Sequence, residues 1–180
     1  MGVVQARIER KKRRNWNNMA NKFYQINKED TTDVWLTPPN LIQSLGEFDL
    51  DPCSPNNLPW KTANKFYSLE NGEDGLSLSW SGRIWLNPPY SNWVPFMEKL
   101  KNHGNGIALI FARTETKGFF EHVWNDAHSI LFLKRRVKFI KADLSGGGSS
   151  TAPSVLIAYG ESNTKALEDS GIEGKLIKLK

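Results

Sequence analysis

Cysteine is almost missing from this chain. Cys53 stands alone among 180 residues, so no internal disulfide framework holds the fold, and a reducing compartment is expected. With one cysteine and three scattered histidines (His103, His122 and His128), zinc-ligand spacing is absent and no metal is expected. No apolar stretch approaches the ~20 residues of a membrane span, and the first residues lack a signal peptide's apolar core. No membrane partner and a cytoplasmic location are therefore expected. A Gly-x-x-x-x-Gly-Lys phosphate loop is also lacking, which weakens a generic nucleotide-binding reading. No internal repeat and no linker between two cores is visible.

What is present is basic charge, unevenly placed. The net charge is +5 and the pI near 9.3. Arg7, Arg10, Lys11, Lys12, Arg13 and Arg14 crowd the start, opposed there only by Glu9. A second cluster, Lys134-Arg135-Arg136, is followed by Lys138 and Lys141. Such clusters suit a polyanion, because phosphate contacts release counterions and give sequence-independent affinity. Seven tryptophans are many for this length. Trp35, Trp80, Trp85 and Trp124 sit in apolar context as core or pocket wall. Trp16, Trp60 and Trp93 sit in polar surroundings, where a ring can stack on a base.

The pattern divides the chain into a mobile basic arm over 1–30 with a short helix, a catalytic domain over 31–165, and a Lys-rich segment over 166–180. Hydrophobic content of 39% is enough for one core. Pro39 to Leu45 reads as a helix with proline early, where a missing N–H is harmless. Short strands are expected at 48–51, 65–68 and 83–86, and a helix from Asn92 to Leu100. Gly106 to Phe111 is a continuous apolar run, typical of a strand buried on both faces. A helix over 116–124 and strands at 128–133, 137–140 and 154–159 follow, with 145–150 as a flexible Gly/Ser loop. Strands alternating with helices predict an α/β three-layer sandwich, its sheet mostly parallel and ending in an antiparallel pair.

The most informative residues are Asn87-Pro88-Pro89-Tyr90. They follow the apolar run Ile84-Trp85-Leu86, so a strand delivers an amide and an aromatic ring on a proline-stiffened turn. Neither proline has an N–H, and the turn's carbonyls are left to accept from other donors. An amide oxygen, a carbonyl and an aromatic face together form a receptor for a planar amino group: adenine N6, cytosine N4 or a glutamine amide. Asp51-Pro52-Cys53-Ser54 likewise follows a strand, where ligands of open α/β sheets lie.

This strand-Asn-Pro-Pro-Tyr signature resembles the amino-group methyltransferases that use S-adenosylmethionine. It is most similar to the small phage-type DNA adenine-N6 methyltransferases, the phage Dam-like family. The order Trp-x-Thr-Pro (Trp35, Thr37, Pro38), Asp-x-Asp-Pro (Asp51, Pro52), Asp-Gly-Leu (Asp74, Leu76) and Asn-Pro-Pro-Tyr carries the resemblance over about 31–160. Phe111 to Thr116, Arg136 to Phe139 and Ala152-Pro153-Ser154 extend it. The resemblance implies a Rossmann-like methyltransferase sheet. It makes Asn87, Pro88, Pro89 and Tyr90 catalytic, with the Asn oxygen and first Pro carbonyl accepting from the target amine and Tyr90 stacking on a flipped base. Trp35, Thr37, Pro38, Asp51, Pro52, Cys53, Asp74 and Leu76 would hold the cofactor, the Asp-Pro loop on its methionine part and Asp74 towards its adenosine. The chain departs from the wider pattern in lacking Gly-x-Gly after the Asp-Pro loop.

Double-stranded DNA is the implied partner, with Arg13, Arg14, Arg113, Lys134 and Arg136 as phosphate contacts. A monomer or weak homodimer, phage- or prophage-encoded in a bacterial host, is expected. A cytosine-N4, RNA or protein-glutamine methyltransferase, or a non-catalytic DNA-binding protein keeping the fold, are the alternatives.

Overall fold

In the computed structural model of the chain the residues described are 35–141, 146–150 and 152–180. The arm expected over 1–30, its helix, Arg13, Arg14 and Trp16 lie outside them. The unit running from Val34 to Lys180 is built on two sheets. The larger has seven strands: β2 (Leu50–Asp51), β3 (Lys65–Phe66), β4 (Ile84–Leu86), β5 (Gly106–Phe111), β6 (Ser129–Leu133), β9 (Ser154–Tyr159) and β10 (Gly174–Lys178), in the spatial order β10-β6-β9-β5-β4-β2-β3. The smaller is antiparallel, with β7 (Lys138–Lys141) between β1 (Trp35–Leu36) and β8 (Gly147–Ser149).

Side chains alternate along the central strands with period two. Ile84, Leu86, Ala108, Ile110, Ile130, Val155, Ile157 and Tyr159 share one cluster, into which Phe96, Met97 and Leu100 of helix α2 (Trp93–His103) pack. Phe119 of the short helix α3 (Lys117–Phe119) and Val123 of the π-helical turn after it complete that side. Trp85, Ile107, Leu109, Leu131, Leu156 and Ala158 form a second cluster with Ile42 of α1 (Pro39–Gln43), Leu45 after it, and Leu167 of α4 (Glu161–Asp169). Two apolar partners explain why β4, β5 and β9 carry unbroken hydrophobic runs.

Strands β5 and β9 fall where the apolar runs place them, and β4 to β6 lie within or close to the expected bounds. The antiparallel part differs. Five of the seven strands point one way, but β9 enters antiparallel between β5 and β6, and β10 runs antiparallel to β6 at the edge. The sheet therefore does not end in a hairpin of 137–140 with 154–159, because β7 belongs to the other sheet. Nor are all of residues 145–150 loop. Gly147 and Gly148 pair with Ile140 and Phe139, and a Cβ on Gly147 would overlap the Phe139 carbonyl oxygen. Glycine here permits close strand approach, which a composition-based reading takes for a linker. The Lys-rich C-terminal segment contains the end of α4 and all of β10, whose Gly174–Lys178 pair residue by residue with Leu133–Ser129.

Candidate active site

The parallel half of the sheet has one switch point. From β2 the chain moves outward to β3, then returns across β2 to β4 on its other side. A crevice forms beyond the carboxyl ends of strands at such a place. The last residue of β2 is Asp51, and the residue after β4 is Asn87.

Asp51 is only 4% exposed. Thr62 Oγ1 donates to its Oδ2 at 2.6 Å and the Cys53 amide donates to its Oδ1 at 3.1 Å. Burial opposes the charge more strongly than these two bonds favour it, and the carboxyl is pushed up to about 6. The loop between Pro55 and Thr62 folds back over the Thr-Pro segment, since Trp60 Nε1 donates to the Thr37 carbonyl at 3.1 Å. Thr37 is buried, and its Oγ1 finds no hydrogen-bond partner among the described residues. Trp35 lends backbone to β1, while its side chain lies outside what is described.

Three expected segments converge on Pro52 and Cys53. Cys53 Sγ lies 3.6 Å from the Asn87 carbonyl oxygen as a weak donor, tying the Asp-Pro loop to the Asn-Pro-Pro-Tyr loop. Burial, and then the Asp51 charge, push the Cys53 thiol well above its ordinary range, so the proton needed for that contact stays on sulfur. On the other side Gly75 rests against Pro52, where a Cβ would overlap the Pro52 carbonyl oxygen. The turn carrying Asp74 and Leu76 is thereby seated on the Asp-Pro loop. Within it the Leu76 amide donates to Asp74 Oδ1 at 2.9 Å.

Pro88 is buried, and the Pro89 carbonyl accepts from the Asn92 amide at 3.0 Å, closing a turn (Tyr90–Asn92) that runs directly into α2. The Tyr90 ring lies flat on Phe111, with centroids 3.8 Å apart and planes 7° apart, and Phe139 meets it edge-on at 6.5 Å. Burial raises the Tyr90 phenol, whose oxygen has no partner among the described residues. The contact ties the Asn-Pro-Pro-Tyr loop to the end of β5.

The basic residues after β5 and β6 share this end of the sheet. Arg113 is exposed, 5.9 Å over the Phe111 ring. Lys134 and Arg135 pair with Glu173 at 3.4 Å and 3.7 Å, and Arg136 Nη1 donates to the Ser150 carbonyl at 2.7 Å. Among the described residues no group of three or more His, Cys, Asp or Glu is gathered, and no helix is long and apolar enough to cross a membrane.

Three residues of the site, Thr62, Phe111 and Lys99, escape a sequence reading of roles, and Trp60, read there as a ring that can stack on a base, holds the Thr37 carbonyl through its Nε1. Thr62 binds Asp51, Phe111 backs Tyr90, and Lys99 of α2 reaches the Asp74 turn. Phe111 lies within the resembling stretch, which is the one signal that pointed near it.

Two curated relatives are similar to this chain. A DNA N-6-adenine-methyltransferase of Escherichia phage T1 is 29% identical over 157 residues, which is 81% of this chain and 61% of that protein. A DNA N-6-adenine-methyltransferase of Haemophilus phage HP1 is 29% identical over 124 residues, 63% of this chain and 69% of the relative. The chain thus spans less than two thirds of the T1 protein's length. The model of the family described as DNA N-6-adenine-methyltransferase (Dam) matches residues 25–167, the stretch that contains the Thr37, Asp51, Asp74 and Asn87 segments, and the chain belongs to that family.

Proposed function

We propose that this chain methylates N6 of adenine in double-stranded DNA, using S-adenosylmethionine, on a three-layer Rossmann-like methyltransferase domain. The observation that carries the reading is the contact between the Asp51 and Asn87 loops across the switch point, made by Cys53 and the Asn87 carbonyl. It sets a buried carboxylate and an amino-group receptor side by side. Two neighbouring groups fit the cofactor. Asp51 can take an ammonium, and the Thr37 hydroxyl, unpartnered among the described residues, can bond the methionine end. Pro52 and Cys53 would line that end, and Asp74 and Leu76 the adenosine end.

Bound S-adenosylmethionine supplies an electrophilic sulfonium methyl, whose C–S bond breaks with its electron pair left on sulfur as the N–C bond forms. The chain's part is positioning and charge stabilisation. The adenine N6 lone pair is delocalised into the ring. Acceptance of its two N–H groups by Asn87 Oδ1 and the Pro88 carbonyl localises that pair and stabilises the positive charge that develops. The extra proton leaves to solvent after transfer, so no general base is required. Tyr90, held flat by Phe111 on one face, offers its other face to the flipped base and offsets part of the unstacking cost. Arg113, Lys134 and Arg136 would contact phosphates, Lys134 exchanging Glu173 for DNA, with Arg13 and Arg14 of the arm adding sequence-independent affinity. The protein acts as a monomer or weak homodimer.

The test is incubation of the purified chain with unmethylated duplex and S-adenosylmethionine, reading N6-methyladenine by mass spectrometry. Methylated adenine that disappears in Asn87→Ala is expected. N4-methylcytosine, or no modified base at all, would overturn the assignment.

A further inference from the structure

We propose that Lys99 is a positioning residue that clamps the 74–78 turn to α2 and so sets the adenosine end of the cofactor site relative to the amino-group receptor. This rests on the reading that the Asp74 turn borders the adenosine.

An ammonium has three donors, and Lys99 Nζ has three carbonyls within reach: Leu78 at 2.6 Å, Leu76 at 2.7 Å and Gly75 at 3.1 Å. These carbonyls belong to a turn outside the strands, and backbone carbonyls there need side-chain or water donors. The Trp80 ring lies 5.1 Å from the same ammonium, and Trp80 Nε1 donates to the Gly75 carbonyl at 2.7 Å. Asp74 faces Lys99 closely enough for its charge to oppose the lowering that burial imposes on the lysine. The other side of the turn is Gly75 on Pro52. The turn is therefore gripped between the Asp-Pro loop and α2.

The helix that grips it begins at the Tyr90–Asn92 turn, so one rigid element carries the receptor at its start and the clamp two turns on. The three donors of Lys99 face backbone carbonyls of the turn. Lys101 on the same helix is instead paired with Asp126 at 2.7 Å.

The test compares the full chain with Lys99→Met, Lys99→Arg and Asp74→Asn. Methionine keeps an unbranched stem against Trp80 and removes the donors. S-adenosylhomocysteine is titrated calorimetrically, and hydrogen exchange over 74–80 is followed in cofactor-free protein. Lys99→Met should raise the dissociation constant about tenfold, the net worth of one or two hydrogen bonds. It should speed exchange in 74–80 while that in β5 and β9 stays as in wild type, and leave kcat at saturating cofactor within about twofold, since what it removes is binding shared by the ground and transition states. Lys99→Arg should recover part of the affinity. Weakened binding in Asp74→Asn with unchanged binding in Lys99→Met would overturn the clamp and spare the site reading. Unchanged binding in both would overturn the placement of adenosine on this turn, and the clamp's role with it. A fall in kcat as large as the rise in KM would also refute the proposal.

Discussion

Lowering the pH from 7 to 5 is expected to weaken S-adenosylmethionine binding through Asp51. The group that would hold the cofactor's ammonium is a carboxyl pushed up to about 6 by burial. Only its ionised form attracts that ammonium, so affinity is full above 6 and falls as the pH drops through it. With one controlling group the loss is about tenfold at pH 5 and slight at pH 7, or about 1.4 kcal/mol between them. Calorimetry in buffers of differing ionisation heat should also show close to half a proton released per binding event near pH 6. Stability of the free protein runs the opposite way. The folded pKa of about 6 exceeds the ordinary carboxyl value of 3.8, so the native state holds this proton more tightly than the unfolded chain. Stability is present below 3.8 and is lost as the pH rises to 6, by about 3 kcal/mol for a shift of roughly two units. Asp51→Asn should therefore melt higher than wild type at pH 7 while binding cofactor more weakly and with no inflection near 6. A wild-type dissociation constant that stays flat from pH 7 to 5, or an Asn variant with the same pH slope, would refute the reasoning.

The other expectations follow from single contacts. Thr62→Val deletes the 2.6 Å bond that favours the ionised carboxylate, so the binding inflection should move above 6, and an unmoved inflection would show that Thr62 has no hold on Asp51. Asn87→Ala should abolish methyl transfer with the S-adenosylhomocysteine dissociation constant within about twofold of wild type, because its loss falls on the developing charge and spares the donor site; a cofactor defect as large as that of Asp51→Ala would merge the two roles. Arg113→Ala should reduce the slope of log affinity for DNA against log salt by about one with an unchanged melting temperature, and parallel slopes would remove Arg113 from the DNA face. Gly75→Ala should cost about 1–3 kcal/mol of stability by overpacking, as its Cβ meets the Pro52 carbonyl; a melting temperature within a degree of wild type would mean the turn yields freely.

Asp51 and Asn87 are legible in the sequence because each closes a short apolar run, and a chemically distinctive residue after a strand marks a sheet's carboxyl edge. The buried strands β5 and β9 are legible for the same reason, as runs too apolar to face water on either side. What stays hidden has a common cause. Lys99 looks like any lysine on a half-buried helix, and its partners are backbone carbonyls 21 to 24 residues earlier, which every sequence possesses alike. Trp60 bonds the Thr37 carbonyl in the same anonymous way. Phe111 ends a hydrophobic strand, where a ring reads as core until the fold lays it flat on Tyr90. Gly147 suggests a flexible loop by composition, yet it is small because the Phe139 carbonyl sits where a side chain would be. Residues that would touch ligand must have particular chemistry, and chemistry is written in residue type. Residues that hold those in place need only reach a carbonyl or leave room for one. Their identity follows from distances that exist after folding, which is why the proposed acceptor loop can be picked out from four letters and its supports cannot.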